Sequence, residues 1–377
     1  MQGVALAGVA AQSLQRESGI AALTIASWLS HARVDNKTVV IIDEAGMVGS
    51  KQMSDIVQKV QQAGAKLVLV GDERQLQPIA AGGILHAIDT HVAKVAPQYS
   101  TAVEDIKRQR EEWMKEVVKA AAQGKTGEAL ETLEKKGKID FYSKAAEARQ
   151  AVADEFIEKN RKDFSKGIVL TNFRQDADKI NLQIRDNLKD QGIVDTINPI
   201  VINNGTKEIG IAAGDRLMFT RNDYDLDIRN GQRATVTGVD PFRIIEVRLD
   251  NGEQRRIHTD AYNHIDYGWA ATTHKAQGAT VENALVFGYS SESMASQQAT
   301  YVQISRARQE TKLFIVAGER GVERDGTKQL NKEQRQEALK EMKQSWSHNA
   351  AKDTTLEHKQ VQRQKELIRE RTHERES

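Results

Sequence analysis

The chain has 377 residues and 39% hydrophobic content, enough for two or three domains with real cores at ~100–200 residues each. Its net charge of +1, on 28% charged residues, excludes a globally basic nucleic-acid binder, so any such surface is local. Zero cysteines exclude disulfides and thiolate metal sites and fit a reducing cytoplasm, and no run approaches the ~18 apolar residues of a membrane span.

In chain order, residues 4–7 read as a short buried strand, followed by a helix over 9–17 that Gly19 ends. Thr24 caps a short helix over 25–29. Apolar runs at 38–42 and 66–71 are strands. Between them an amphipathic helix at 50–63 sets Met53, Ile56, Val57 and Val60 at helical spacing. Continuous β-branched strands alternating with helices indicate a parallel α/β sheet. The stretch 101–160 reads as mainly helical and highly charged, 167–171 as a buried strand and 175–188 as a helix.

The texture changes over 197–261, where short β runs at 215–219, 233–239, 243–249 and 254–258 are broken by turns. Asn230-Gly231 and Asn251-Gly252 are strong turn dipeptides, and the second predicts a hairpin. This segment reads as a small β-barrel inserted into a second α/β domain. Parallel texture returns at 283–288 and 312–316. After 319 the chain is rich in Lys, Arg, Glu and Gln, which predicts a solvated helix or disorder. There is no internal repeat, and no secretory leader is read at the start.

The run Val39-Val40-Ile41-Ile42 ends in Asp43-Glu44 and continues Ala45-Gly46-Met47. It places two acids at the carboxyl end of a parallel strand. One can enter a Mg²⁺ sphere, and the other can take a proton from water attacking a γ-phosphate. Two solvated acids capping a strand end have the same local signature. The second run ends in Gly71-Asp72, with Gln75, Leu76 and Pro78 beyond. Gly71 permits a tight turn, the Gln75 amide can bond a γ-phosphate or its water, and Pro78 stiffens the return.

Two basic segments lie far apart: Ile106-Lys107-Arg108-Gln109, and Gln303-Ile304-Ser305-Arg306-Ala307-Arg308 after Tyr301-Val302. Arginines from a second domain can stabilise transition-state charge across a cleft. Ala270-Ala271-Thr272-Thr273-His274-Lys275-Ala276-Gln277-Gly278-Ala279-Thr280, with a helix end expected at Gly278, offers hydroxyl, amide and backbone N–H groups suited to a phosphate backbone. Gly124-Lys125-Thr126 imitates the end of a phosphate loop. The pattern G-x-x-x-x-G-K-[ST] needs glycine where Lys119 stands, and the preceding residues read as helix, so it is rejected. The nine histidines show no metal-ligand spacing with acids.

In order, these segments resemble the motifs of superfamily 1 helicases over roughly residues 3–317. Ala5 to Leu14 resembles motif Ia, Asp43 to Met47 motif II and Gly71 to Pro78 motif III. Ile106 to Gln109 resembles motif IV, His274 to Gly278 motif V and Tyr301 to Arg308 motif VI. The flavour is that of the RecD-like branch, most similar to the helicase portion of TraA/TraI-type conjugative relaxases. The resemblance implies ATP- and Mg²⁺-dependent 5′→3′ movement on single-stranded DNA. It also implies two RecA-like parallel-sheet domains with an SH3-like barrel inserted in the second.

It further implies roles for individual residues. Asp43 is the Mg²⁺ acid and Glu44 the general base. Gln75 is the γ-phosphate sensor, with Asp72 beside the nucleotide. Arg108 and Arg306 are arginine fingers. Thr273, His274 and Lys275 face or couple to DNA, and Gln277 and Gly278 lie near the γ-phosphate. The expected domains are 1–95 (an incomplete first RecA-like domain), 96–196 with 262–318 (the second), 197–261 (the barrel) and 319–377 (a charged tail).

The departure is at motif I. No Gly-rich loop with Lys-Ser/Thr precedes motif Ia, so a truncation before that loop, with impaired ATP hydrolysis, is expected. The other expectation is a non-catalytic DNA-binding or relaxosome scaffold fragment. The expected partners are single-stranded DNA and relaxosome or conjugation proteins, or an upstream fragment carrying the phosphate loop.

Overall fold

The computed structural model describes residues 1–78, 82–103, 105–322 and 330–350. The chain divides into two compact units, one built from 1–105 and the other from Ile106–Asn349.

The first unit runs β1 (Gln2–Ala5), α1 (Gly8–Ser18), β2 (Ala22–Thr24), α2 (Ile25–His31), β3 (Val39–Ile42), α3 (Ser50–Gln62), β4 (Lys66–Leu69) and α4 (Ile84–Val95). Its four strands are all parallel, in the order β2-β1-β3-β4. Local chemistry sets the boundaries. Gly19 adopts φ 72° after α1, and the Thr24 side chain accepts from Ser27 N to start α2. Met53, Ile56 and Val60 of α3 are buried against Val4, Trp28, Val40 and Ile42. Val57 is not part of that stripe: it is 39% exposed, one residue round the helix from Ile56.

The second unit opens with α5 (Glu112–Ala122), α6 (Thr126–Lys135), β5 (Ile139–Tyr142), α7 (Ala145–Asn160), β6 (Gly167–Thr171) and α8 (Arg174–Asp190). The hairpin strands β7 (Ile200–Asn203) and β8 (Glu208–Ile211) follow. Then come β9 (Arg216–Phe219), β10 (Arg233–Asp240), β11 (Ile244–Leu249), β12 (Gln254–His258) and β13 (Ile265–Tyr267). The unit closes with β14 (Ala270–Thr272), β15 (Val281–Ser291), α9 (Gln297–Ser305), β16 (Ala307–Glu319) and α10 (Lys332–Trp346). Its parallel sheet has the order β14-β6-β15-β16-β5. The fold is therefore mixed α/β with two parallel sheets of RecA-like type, as the strand texture predicts.

Several details differ from the sequence reading. The region 101–160 contains an edge strand, β5, paired with β16, which is too short to stand out among charged helices. The inserted β segment forms an antiparallel sheet of order β12-β11-β10-β9-β13, which extends to Tyr267, past 261. The β11–β12 hairpin turns at Asn251-Gly252 as expected, with Gly252 at φ 92°. Arg185 of α8 holds Asp215, before β9, in a bidentate pair at 2.8 and 2.9 Å. Gly124 sits at a helix–turn–helix junction between α5 and α6, with φ 75°, not in a strand–loop–helix cradle.

The charged tail contains a packed helix and not a merely solvated one. Ala338, Met342 and Trp346 of α10 are buried, at the four-residue spacing of one helix face. The Trp346 indole N–H donates to the Tyr289 carbonyl at 2.9 Å. The ring lies against Gly288, where an added Cβ would come within 2.9 Å of it. The rest of the tail, 351–377, lies outside the described residues.

Candidate nucleotide and nucleic-acid sites

In the first unit the acids Asp43 and Glu44 stand at the carboxyl end of β3. The Asp43 backbone N–H donates to the Val4 carbonyl at 2.9 Å, and Val70 N donates to the Ile42 carbonyl at 2.8 Å. Both neighbouring strands thus hold the site. Glu44 is left-handed, at φ 52° and ψ 41°. That conformation is costly for a non-glycine residue, and such strain gathers at functional sites. It turns the Glu44 N–H onto Asp43 Oδ1 at 3.0 Å, while Ala45 N donates to the Val70 carbonyl at 2.8 Å.

Two glycines let this loop and the loop after β4 touch. A Cβ on Gly46 would lie 3.1 Å from the Asp72 carbonyl oxygen, and one on Gly71 would lie 2.9 Å from Gly46 N. The structure therefore brings Asp43, Glu44, Asp72 and Gln75 into one loop pair. Asp72 is engaged: its Oδ1 accepts from Arg74 Nε at 2.8 Å and Arg74 N at 3.1 Å, and its carbonyl accepts from Gln75 N. A pair missed in the sequence, Glu73–His86 at 2.6 Å, ties this loop to α4.

The Asp43 carboxyl is pushed above the usual carboxylate range, first by burial and then by the nearby charge of Glu17. A half-buried carboxylate beside other acids suits a hard divalent cation, and Mg²⁺ needs only one or two carboxylates plus waters and phosphates. No group of three or more His, Asp or Glu is poised as a complete metal cage among the described residues. The donor set thus fits Mg²⁺ shared with a nucleotide, not an all-protein site.

In the second unit the two candidate arginines converge on Ser305. Arg108 Nη1 donates to the Ser305 carbonyl at 2.8 Å, and Arg306 Nη2 donates to Ser305 Oγ at 3.1 Å. The neighbouring Gln109, buried, donates to the carbonyls of Ser305 and Ala307. Arg306 is 2% exposed, and also donates to the carbonyls of Val302 at 3.0 Å and Ala279 at 3.4 Å. Arg308 is exposed and lies 3.8 Å from Glu282.

The stretch 273–278 is a chain of turns, not a helix end, and Gly278 adopts φ 81°. His274 and Lys275 are exposed, and Lys275 Nζ lies 3.7 Å from Asp266. Thr273 is fully buried, and its hydroxyl donates to Asn172 Oδ1 at 2.7 Å. It supports the loop from beneath and presents no surface. Gln277 lies half-buried between Lys275 and the exposed Gly278.

Sequence reasoning gave no role to Gln109, Asn172, Glu292 or Gln303. Gln109 and Gln303 stand inside segments singled out for their arginines. Asn172 directly follows a strand end. Glu292 carries no local signal. Burial pushes the Glu292 carboxyl up to about 7, against opposing hydrogen bonds from Tyr289 N and the Asn172 side chain.

A family profile described as an AAA domain matches residues 1–144. The chain is 34% identical over 323 residues to a probable conjugal transfer protein TraA of Sinorhizobium fredii, covering 84% of this chain and 28% of that protein. It is 34% identical over 376 residues to the conjugal transfer protein TraA of Rhizobium radiobacter, covering 97% of this chain and 32% of that protein. The chain thus spans about a third or less of the curated relatives it matches. Among solved structures, Bacteroides Pif1 bound to ssDNA shares the fold with a TM-score of 0.51 at 18% identity, covering 84% of this chain and 89% of that one. None of the described helices is long and apolar enough to cross a membrane. Over most of its length the chain is thus similar to part of the TraA conjugal transfer proteins, and it shares its fold with Bacteroides Pif1.

Proposed function

We propose that this chain is the part of a conjugal-transfer helicase that grips single-stranded DNA and houses the metal half of the ATP site. The observation that carries the proposal is the loop pair at the carboxyl edge of the first sheet. There a strained Glu44 sits beside Asp43 and against the Gly71-Asp72 loop. In this reading Asp43 holds Mg²⁺, which neutralises phosphate charge when bound. Glu44 accepts the proton of the attacking water, and Gln75 senses the γ-phosphate, with Asp72 holding the turn. In this reading Arg108 and Arg306 serve the transferred phosphoryl group, with Gln277 and Gly278 as further γ-phosphate residues. His274 and Lys275 contact the DNA backbone, and Thr273 supports them. Movement is 5′→3′, the direction that the resemblance implies, and the location is cytoplasmic, in keeping with the absence of cysteine.

Residues 1–377 carry no G-x-x-x-x-G-K-[ST] run, so by themselves they lack the backbone cradle and lysine for the β- and γ-phosphates. Single transition-state contacts in such sites are worth ~3–4 kcal/mol each. Several missing together leave almost no turnover by these residues alone. The test is ATP hydrolysis by the purified chain, with and without single-stranded DNA, beside Glu44→Gln. The expected result is DNA binding without turnover. DNA-stimulated hydrolysis that Glu44→Gln abolishes overturns the impairment and leaves a working motor.

A second reading is a non-catalytic DNA-binding or relaxosome scaffold. The burial of Arg306 in bonds to its own unit favours it. Adding a separate polypeptide that carries a phosphate loop separates the two: restored hydrolysis supports the motor, and continued silence supports the scaffold.

A further inference from the structure

Helix α9 grips the loop 273–279 at both ends. At the near end Gln303 Nε2 donates to Thr273 Oγ1 at 2.8 Å and to Asn172 Oδ1 at 3.0 Å. Thr273 Oγ1 in turn donates to Asn172 Oδ1 at 2.7 Å. The three side chains close a triangle in which Asn172 Oδ1 accepts from both of the others. At the far end Arg306, one helical turn beyond Gln303, donates to the Ala279 carbonyl at 3.4 Å. Positions three apart share a helix face, so one face of α9 carries both grips.

The triangle is anchored further in. Beyond Asn172, the Glu292 Oε2 accepts from Tyr289 N at 3.0 Å. The backbone of Glu292 is bonded in both directions to Ser345 of α10. Thr171, Asn172, Thr273 and Glu292 end or follow strands β6, β14 and β15, so the hub joins three carboxyl ends of the sheet. Glu292 Oε1 and Gln303 Oε1 are buried without a hydrogen-bond partner among the described residues. An apolar residue at either position would avoid that cost.

We propose that Gln303 is a positioning residue which, through Thr273 and Asn172, makes helix α9 and the loop 273–279 one mechanical body. Whatever engages Arg306 or Arg108 at Ser305 is then felt at His274 and Lys275. The proposal rests on the DNA-contact reading of that loop, and it adds the residue that transmits the coupling. Gln303 touches neither reacting atoms nor DNA in this scheme.

The test uses the full chain, hydrogen–deuterium exchange of the loop amides, and anisotropy of a fluorescent oligothymidylate over a salt series. Gln303→Ala is expected to speed exchange across 274–279 by about tenfold, including at Ala279, the end it does not touch. DNA affinity is expected to fall about three- to tenfold with an unchanged salt slope, because no phosphate contact is removed. Lys275→Ala, by contrast, reduces the salt slope by about one. If Gln303→Ala does not fold, Gln303→Met keeps the stem and removes both donors. Faster exchange confined to Thr273 and its neighbours, or none, overturns the one-body proposal. So does a salt slope that falls with Gln303→Ala. If the unaltered chain binds no oligothymidylate, the DNA reading fails, while the exchange result at Ala279 still decides whether the clasp exists.

Discussion

Both units place polar loops at the carboxyl ends of parallel strands, but they hold them by different means. In the first unit backbone geometry holds the loops: the left-handed Glu44, the close pass of Gly46 and Gly71, and N–H bonds to Val4 and Val70. The side chains there stay half-exposed, and Val68 and Val70 of the neighbouring strand segment are 42% and 48% exposed. In the second unit packed side chains hold the loop: the buried Thr273, Gln303 and Arg306 and the half-buried Asn172 bond one another or nearby carbonyls, with α10 closing the layer beneath. A site held by backbone leaves its carboxylates accessible to a cation and water. A site held by a packed network can transmit displacement, because buried hydrogen bonds tolerate few alternative geometries.

The strongest way to break this contrast is through α10. Trp346→Ala removes a ring that is 1% exposed and its bond to Tyr289, and is expected to destabilise the second unit by about 3–5 kcal/mol. Urea melts followed by exchange in each unit check it, and the first unit should be unaffected. Equal loosening of both units would remove the distinction.

A smaller effect concerns Glu292. Its unfolded carboxyl titrates near 4.5 and its folded one near 7. Between those values the folded state holds a proton that the unfolded state releases. Stability therefore falls as pH rises through that window, by on the order of a few kcal/mol. Glu292→Gln should flatten the pH dependence of the urea midpoint between about pH 5 and about pH 8. An unchanged profile would mean that Glu292 does not carry it. The smallest expected effect lies in the first unit. Glu44→Gly relieves the left-handed strain and should stabilise that unit by at most about 1 kcal/mol, while removing the proposed base. A destabilised Glu44→Gly would show that the strain reading is wrong.

Much of the first site could be read from sequence because its determinants are local. An apolar run followed by two acids specifies a strand end, and Gly71 directly follows its own strand. Thr24, Gly19 and Asn251-Gly252 act on residues within a turn of themselves. The hub of the second unit was not legible in the same way. Gln303 and Asn172 meet across 131 residues, and Glu292 lacks any neighbouring signal. The charged composition of α10 concealed a buried face of only Ala338, Met342 and Trp346.

What the sequence determined alone was the alternation of strands and helices, the acids and glycines at strand ends, and the order of the motifs. These follow from periodicity and turn chemistry, which act over a few residues. Tertiary structure alone decided that Arg306 turns into its own unit, that Thr273 is buried, and that one face of α9 holds both ends of the 273–279 loop. The physical reason is strand order. β14 and β15 flank β6 in one sheet, and that order sets the strand ends at Asn172 and Thr273 side by side, where Gln303 of α9 bonds both.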